Sequence, residues 1–235
     1  MRAVCTTRAG GVSAGPYASL NLGDRVGDDP ACVARNRALL RARLALPAEP
    51  LWLAQVHGCE VALSGTDRPG CEADAAIARA PGQVCVAMTA DCLPILVCDR
   101  HGTSVAAIHA GWRGLANGVI ERTLARLGGD PADWLAWLGP AIGPDAFEVG
   151  PEVRAAFLAA DPGAEAAFRA QPGGKWLADL YALARARLAA AGATRIFGGD
   201  YCTYTDADRF FSFRRDGICG RMASLIWIGE EVASG

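Results

Sequence analysis

The chain has 235 residues, 51% hydrophobic and 20% charged, with a formal net charge of −2. That size and composition allow a substantial core and leave no stretch polar enough for a disordered tail. Scattered basic residues argue against a nucleic-acid binder, and no apolar run is long enough for a membrane span or a signal peptide. The expected partners are therefore small molecules, the expected compartment the cytoplasm and the expected assembly a monomer or a weak homo-oligomer.

A first strand is expected over residues 2–7, followed by TRAGGVSAGPYASLNLG, whose glycines and proline exclude regular structure. A loop of that length in a folded domain is usually functional. Asp28-Asp29-Pro30 opens a helix running to residue 46. LWLAQVH, EVALSG, EADAAIARA, QVCVAMTA, PILVCD and SVAAIHAG then read as six strands.

GLANGVIERTLARLGG changes to helical period, with Leu115, Val119, Thr123 and Leu127 on one face. WLAWLG reads as a strand, Pro151 opens a helix, and QPGG is the one weak candidate for a linker. WLADLYALARARLAAAG reads as a long helix stopped by Gly192, after which TRIFGG, FFSFRRDG and RMASLIWIG return to strand character. The expectation is a single α/β domain over residues 1–235, a mixed β-sheet flanked by helices.

The nine cysteines stand singly and never as C-x-x-C, which argues against a disulfide framework or a zinc ribbon. Of only three histidines, His57 in LAQVHG and His109 in AAIHAG each end an apolar strand, and Cys92 in TADC lies at the end of another. Strand ends are where a rigid sheet presents groups to a cleft. Two histidines and a thiolate would give zinc three ligands and leave a fourth position open, as catalysis requires. The same residues also permit a thiolate nucleophile at Cys92 with His109 as its base. His101, in the polar turn DRHG, reads as an ordinary surface residue.

Arg113, at the loop opening a helix, is the first candidate for an anion such as phosphate. Arg214 and Arg215 offer a second anion site or a charged hairpin turn. Asp91 is placed to orient a histidine or to accept from a substrate hydroxyl, and Gln55 and Asn21 are lesser candidates for the same site. Phe210, Phe211 and Phe213 could include a ring for stacking on a ligand, but aromatics in such a pattern at a strand end are more often core. The absence of G-x-G-x-x-G, Walker, H-E-x-x-H and P-C-x-x-C signatures disfavours dinucleotide oxidoreductases, P-loop ATPases and the usual zinc proteases and deaminases.

The strings LAQVHG, TADCLPI, AAIHAGWRGL, LGPAIGP, FEVG and FFSFRRDG followed by GRMASLIWI, in this order, resemble the family long labelled multicopper polyphenol oxidase, or laccase-domain, proteins. The resemblance implies a fold similar to the catalytic domain of cytotoxic necrotizing factor, and zinc held by His57, Cys92 and His109. It also implies purine nucleoside phosphorylase activity on adenosine, inosine and methylthioadenosine with phosphate, together with some adenosine deamination. KWLADL stands where the family more usually has a lysine-aromatic-histidine-leucine-aspartate string, so no histidine is available there.

Three histidines are too few for the type-one and trinuclear copper centres of a multicopper oxidase. Copper-dependent oxidation is accordingly read as copper occupying the same three-ligand site. The alternative enzyme class is a metal-free Cys–His hydrolase acting on an amide such as a peptidoglycan precursor, which the similarity to the toxin domain also suggests.

Overall fold

Residues with both faces buried make up most of the central strands, so these read as continuous apolar runs without alternation. The computed structural model describes residues 1–229. In chain order these form β1 (Arg2–Cys5), α1 (Pro30–Leu44), β2 (Val61–Leu63), β3 (Ala75–Ala78), β4 (Val84–Thr89), β5 (Leu93–Asp99) and β6 (Val105–Ala110). The second half adds α2 (Trp112–Ala116), α3 (Val119–Leu127), β7 (Trp134–Leu138), β8 (Glu148–Val149) and α4 (Pro151–Ala160). It closes with β9 (Phe168–Gln171), β10 (Lys175–Ala178), α5 (Leu180–Ala190), β11 (Arg195–Gly198), α6 (Phe213–Asp216) and β12 (Met222–Trp227).

A six-stranded mixed sheet, ordered β11-β7-β5-β6-β3-β2, forms the centre of this single α/β domain. Its two outer pairs, β11 with β7 and β2 with β3, are parallel and its inner pairs antiparallel. Helices cover one face, with Leu115, Ile120 and Leu124 packed on Ile77, Ile95 and Ile108. The other face meets a second, antiparallel sheet, β1-β12-β4, which is itself backed by a helix. Ala76, Ala107 and Leu96 meet Cys85, Ala87 and Ile226 there, and the small side chains let the two sheets approach closely. Helix α1 backs the small sheet through Leu40, which packs with Val86, Leu225 and Trp227. Layers of helix, sheet, sheet and helix result.

Several elements differ from the sequence reading. LWLAQVH is not a strand; it makes only isolated bridges at Leu51 and Ala54. The helix expected from GLANG onward is broken at Asn117 and Gly118, whose φ of 92° ends α2 and starts α3. Leu115, Val119, Thr123 and Leu127 are nonetheless all buried.

KWLA pairs with β9 and β8 as strand β10, and the helix begins only after Asp179, whose carboxylate caps it by accepting from Ala182 N–H at 3.0 Å. QPGG is therefore the turn between β9 and β10 rather than a linker. FRRD is a short helix, α6, and the last strand joins the small sheet, between β1 and β4. Among the described residues no helix is long and apolar enough to cross a membrane.

Candidate metal centre

Strand β6 alternates between layers: Ala106, Ile108 and Ala110 face the helices, while Val105 and Ala107 face the small sheet. His109 follows on the second set by the two-residue period, so its imidazole emerges where the space between the sheets opens. Cys92 arrives from the neighbouring strand. The turn TADC crosses from β4 in the small sheet to β5 in the large one, and the register Leu93 opposite Ala110 sets Cys92 beside Gly111. His57 comes from the irregular stretch after Ala54 and takes a left-handed backbone, φ 61°, that non-glycine residues enter at a cost of about 1–3 kcal/mol.

Asp74, just before β3, stabilises that turn. Its carboxylate is 1% exposed. Oδ1 accepts from His57 N–H at 2.9 Å and lies 2.8 Å from His109 Nδ1, while Oδ2 accepts from Gly58 N–H at 2.7 Å and Val56 N–H at 3.3 Å. Burial raises its pKa, but His109 and these amides prevail and hold the carboxyl below its ordinary range. With Nδ1 directed at Asp74, the other ring nitrogen of His109 is left for the centre.

The one ligand atom available from each of His57, Cys92 and His109 lies within 4.8 Å of the others, and Cys92 Sγ is 3.7 Å from His57 Nε2. Bonds of about 2.0–2.3 Å meeting at a tetrahedral angle set ligand atoms roughly 3.3–3.7 Å apart, so the donor set suits zinc with small adjustments. Burial alone would raise the Cys92 thiol, but His109 and His57 outweigh it and bring it down to about 6. Burial lowers His109, and the Cys92 thiolate and Asp74 more than reverse this, to about 9.

Gly111 lets the three groups approach. A Cβ there would lie 2.7 Å from His57 Cδ2 and 3.1 Å from Cys92 Sγ, although the backbone, φ −64°, suits any residue. Gly111→Ala is therefore expected to keep the fold, displace the His57 ring and weaken metal binding about tenfold, read by chelator competition. Unchanged affinity would show that the close approach is dispensable.

A cleft of about 400 Å³ opens over the cluster and includes Arg25, Arg113, Arg221, Gln55 and Phe213 in its walls. Arg113 is exposed, lies 4.5 Å over the Trp112 ring and has no hydrogen-bond or ion-pair partner among the described residues. Gln55 lines the cleft, but its amide is engaged with Met88, donating to O and accepting from N–H, both at 2.8 Å.

Other expectations need correction. Asp91 does not orient a histidine: its carboxylate accepts from Thr203 Oγ1 and from Arg214 N–H, both at 2.6 Å. Asn21 is fully buried and does not itself line the cleft; it clamps Gly23, Asp28 and Arg221, and so holds two residues of the cleft wall, Gly23 and Arg221, from behind. Arg214 donates to Glu148 O, and Arg215 to Thr203, Tyr204 and Phe210 carbonyls, so the pair secures loops instead of forming an anion site. His101 lies in an exposed turn, 3.5 Å from Asp133.

The sequence reading missed Asp74, Gly111, Arg25 and Arg221. For Asp74 a signal existed: it is the acid beside the apolar run AAIA, and an acid at the edge of a buried strand needs partners.

A family model described as multi-copper polyphenol oxidoreductase laccase matches residues 2–229. The chain belongs to this family. Within the laccase-like family, a purine nucleoside phosphorylase named YfiH from Escherichia coli (strain K12) is 57% identical over 227 residues, covering 96% of this chain and 93% of that protein. A purine nucleoside phosphorylase of Pseudomonas aeruginosa is 54% identical, covering 98% and 94%. The crystal structure of a Neisseria meningitidis protein superimposes with a TM-score of 0.92 at 49% identity, over 97% of this chain and 94% of that one.

Proposed function

We propose that the chain is a zinc-dependent purine nucleoside phosphorylase that cleaves inosine, adenosine and methylthioadenosine with phosphate. The observation that carries this reading is the convergence of His57, Cys92 and His109 beneath a cleft that also presents Arg25 and Arg113. The phosphorylase names of relatives that align over nearly the whole chain support the substrate class.

Phosphorolysis needs an anion held against the anomeric carbon while the ribosyl–base bond breaks. Arg113, with its charge unpaired among the described residues, binds and orients that phosphate, and Arg25 of the same cleft reinforces it. His57, Cys92 and His109 hold the metal, and Asp74 keeps His57 and His109 in the ligating orientation. Zinc bound there would supply a Lewis acid with an open coordination position. Copper fits the same nitrogen and sulfur donors and would account for the oxidase label.

A second reading has its own observation. Cys92, His109 and Asp74 follow the order of nucleophile, base and orienting carboxylate found in hydrolytic triads. His57 disfavours it, because a second imidazole at the thiolate has no task in a triad but completes a three-ligand set.

Metal analysis of the purified protein, with hypoxanthine release from inosine measured with and without phosphate and after chelation, separates the two. About one zinc per chain and phosphate-dependent release lost on chelation are expected. No stoichiometric metal and no base release, with a Cys92 thiol that added zinc does not protect from alkylation, would overturn the phosphorylase in favour of the amide hydrolase. Inosine formation from adenosine in the same assay reads the implied deamination.

A further inference from the structure

Beside the main cleft lies a smaller, largely apolar slot of about 130 Å³, with Ala90, Cys92, Trp112, Ile142, Phe147 and Phe213 among its walls. Ala90, Cys92 and Phe213 line both spaces. The arginines divide unevenly: Arg25, Arg113 and Arg221 line the larger space, while only Arg214, engaged with Glu148 O, reaches the slot. The slot is well below the ~300 Å³ at which pockets begin to take a whole drug-sized ligand, so it suits one flat ring system.

Phe213 is unlike its neighbours. Phe210 and Phe211 are buried, as their alternation suggested, but Phe213 is 57% exposed. An exposed aromatic ring held in place by its backbone is a stacking surface. Four bonds fix it: Ser212 Oγ accepts from Arg215 N–H, Asp91 accepts from Arg214 N–H, and the Arg215 guanidinium donates to the carbonyls of Thr203 and Tyr204. Asp91 directly precedes Cys92, so the ring is set relative to the metal cluster by one short covalent and hydrogen-bonded path.

Building on the phosphorylase reading, we infer that this slot is the base subsite, with Phe213 as the platform on which the purine stacks. The ribose and phosphate then occupy the larger, arginine-lined space. Cys92, shared by both, stands at their junction, where the ribosyl–base bond would lie. Asp91 is a positioning residue that acts through Phe213.

Phe213→Ala tests this, because an exposed side chain can be removed without opening the core. Binding of hypoxanthine and of inosine to the zinc-loaded protein is measured by calorimetry, alongside inorganic phosphate and metal content. Loss of a base–aromatic stack is expected to weaken both purine ligands roughly tenfold and to raise KM for inosine with little change in kcat. Phosphate affinity, zinc content and melting temperature stay at wild-type values, and Phe213→Tyr restores binding.

Equal hypoxanthine affinity in wild type and Phe213→Ala would overturn the subsite while leaving the phosphorylase intact. A wild-type protein that binds neither hypoxanthine nor inosine would remove the phosphorylase reading and the subsite together.

Discussion

Cys92→Ala is expected to abolish stoichiometric zinc binding and to lower phosphate-dependent base release by roughly 10²–10⁴-fold, the worth of several kcal/mol of charge stabilisation at the reacting centre. In the proposed centre the thiolate would be the one anionic ligand of the three, and two neutral imidazoles alone bind zinc poorly. The fold should survive, because Cys92 is small, half-buried and forms no disulfide. Metal content by mass spectrometry and the inosine assay give the two readouts. An inactive Cys92→Ala protein that still holds one zinc per chain would make the thiol a nucleophile and remove it from the ligand set.

Asp74→Asn should weaken zinc binding by roughly 10–100-fold, the usual cost of removing a carboxylate that orients a ligating histidine. The present carboxylate faces only donors: the amides of Val56, His57 and Gly58 and the ring nitrogen of His109. An amide has one acceptor oxygen, so its NH₂ must point at donors on one side. If the NH₂ turns toward Gly58, two N–H groups oppose each other and the strained His57 turn loses its hold. If it turns toward His109, Nδ1 becomes the acceptor and the proton moves to the nitrogen needed for the metal.

Leaving buried donors unpaired also costs stability, about 1–3 kcal/mol, visible as a lower melting temperature of the metal-free protein. Nitrogen NMR of His109 separates the two effects, since a purely structural loss would not alter its tautomer. Zinc affinity equal to wild type would rule out the positioning role.

His57, His109 and Cys92 could be found from the sequence because each stands where an apolar stretch gives way to a turn, an environment that selects residues for chemistry more than for packing, although only His109 proved to lie on a strand. Asp91 and Asp74 show the limit of that reasoning. Both are acids next to buried strands, and Asp91 had the more suggestive neighbour in Cys92. Yet the register of β3 against β6, with Ala75 opposite Ile108, is what brings Asp74 to His109, and the crossing of TADC between sheets turns Asp91 toward Thr203. Hydrogen-bond partners distant along the chain leave no trace in local pattern.

Likewise, KWLADLYALAR has helical composition throughout, whereas pairing with β8 and β9 overrides propensity up to the Asp179 cap. The sequence by itself determined the mixed α/β class, the buried central strands and the three candidate ligands, since these follow from hydrophobic period and from scarce reactive residues. Only the tertiary structure decided that a second sheet covers one face, that Asp74 organises the centre, and that Phe213, of its three aromatics, is the one that lines the cleft over the cluster. Those outcomes depend on which strands pair and on the order of the layers, properties of the packed chain as a whole.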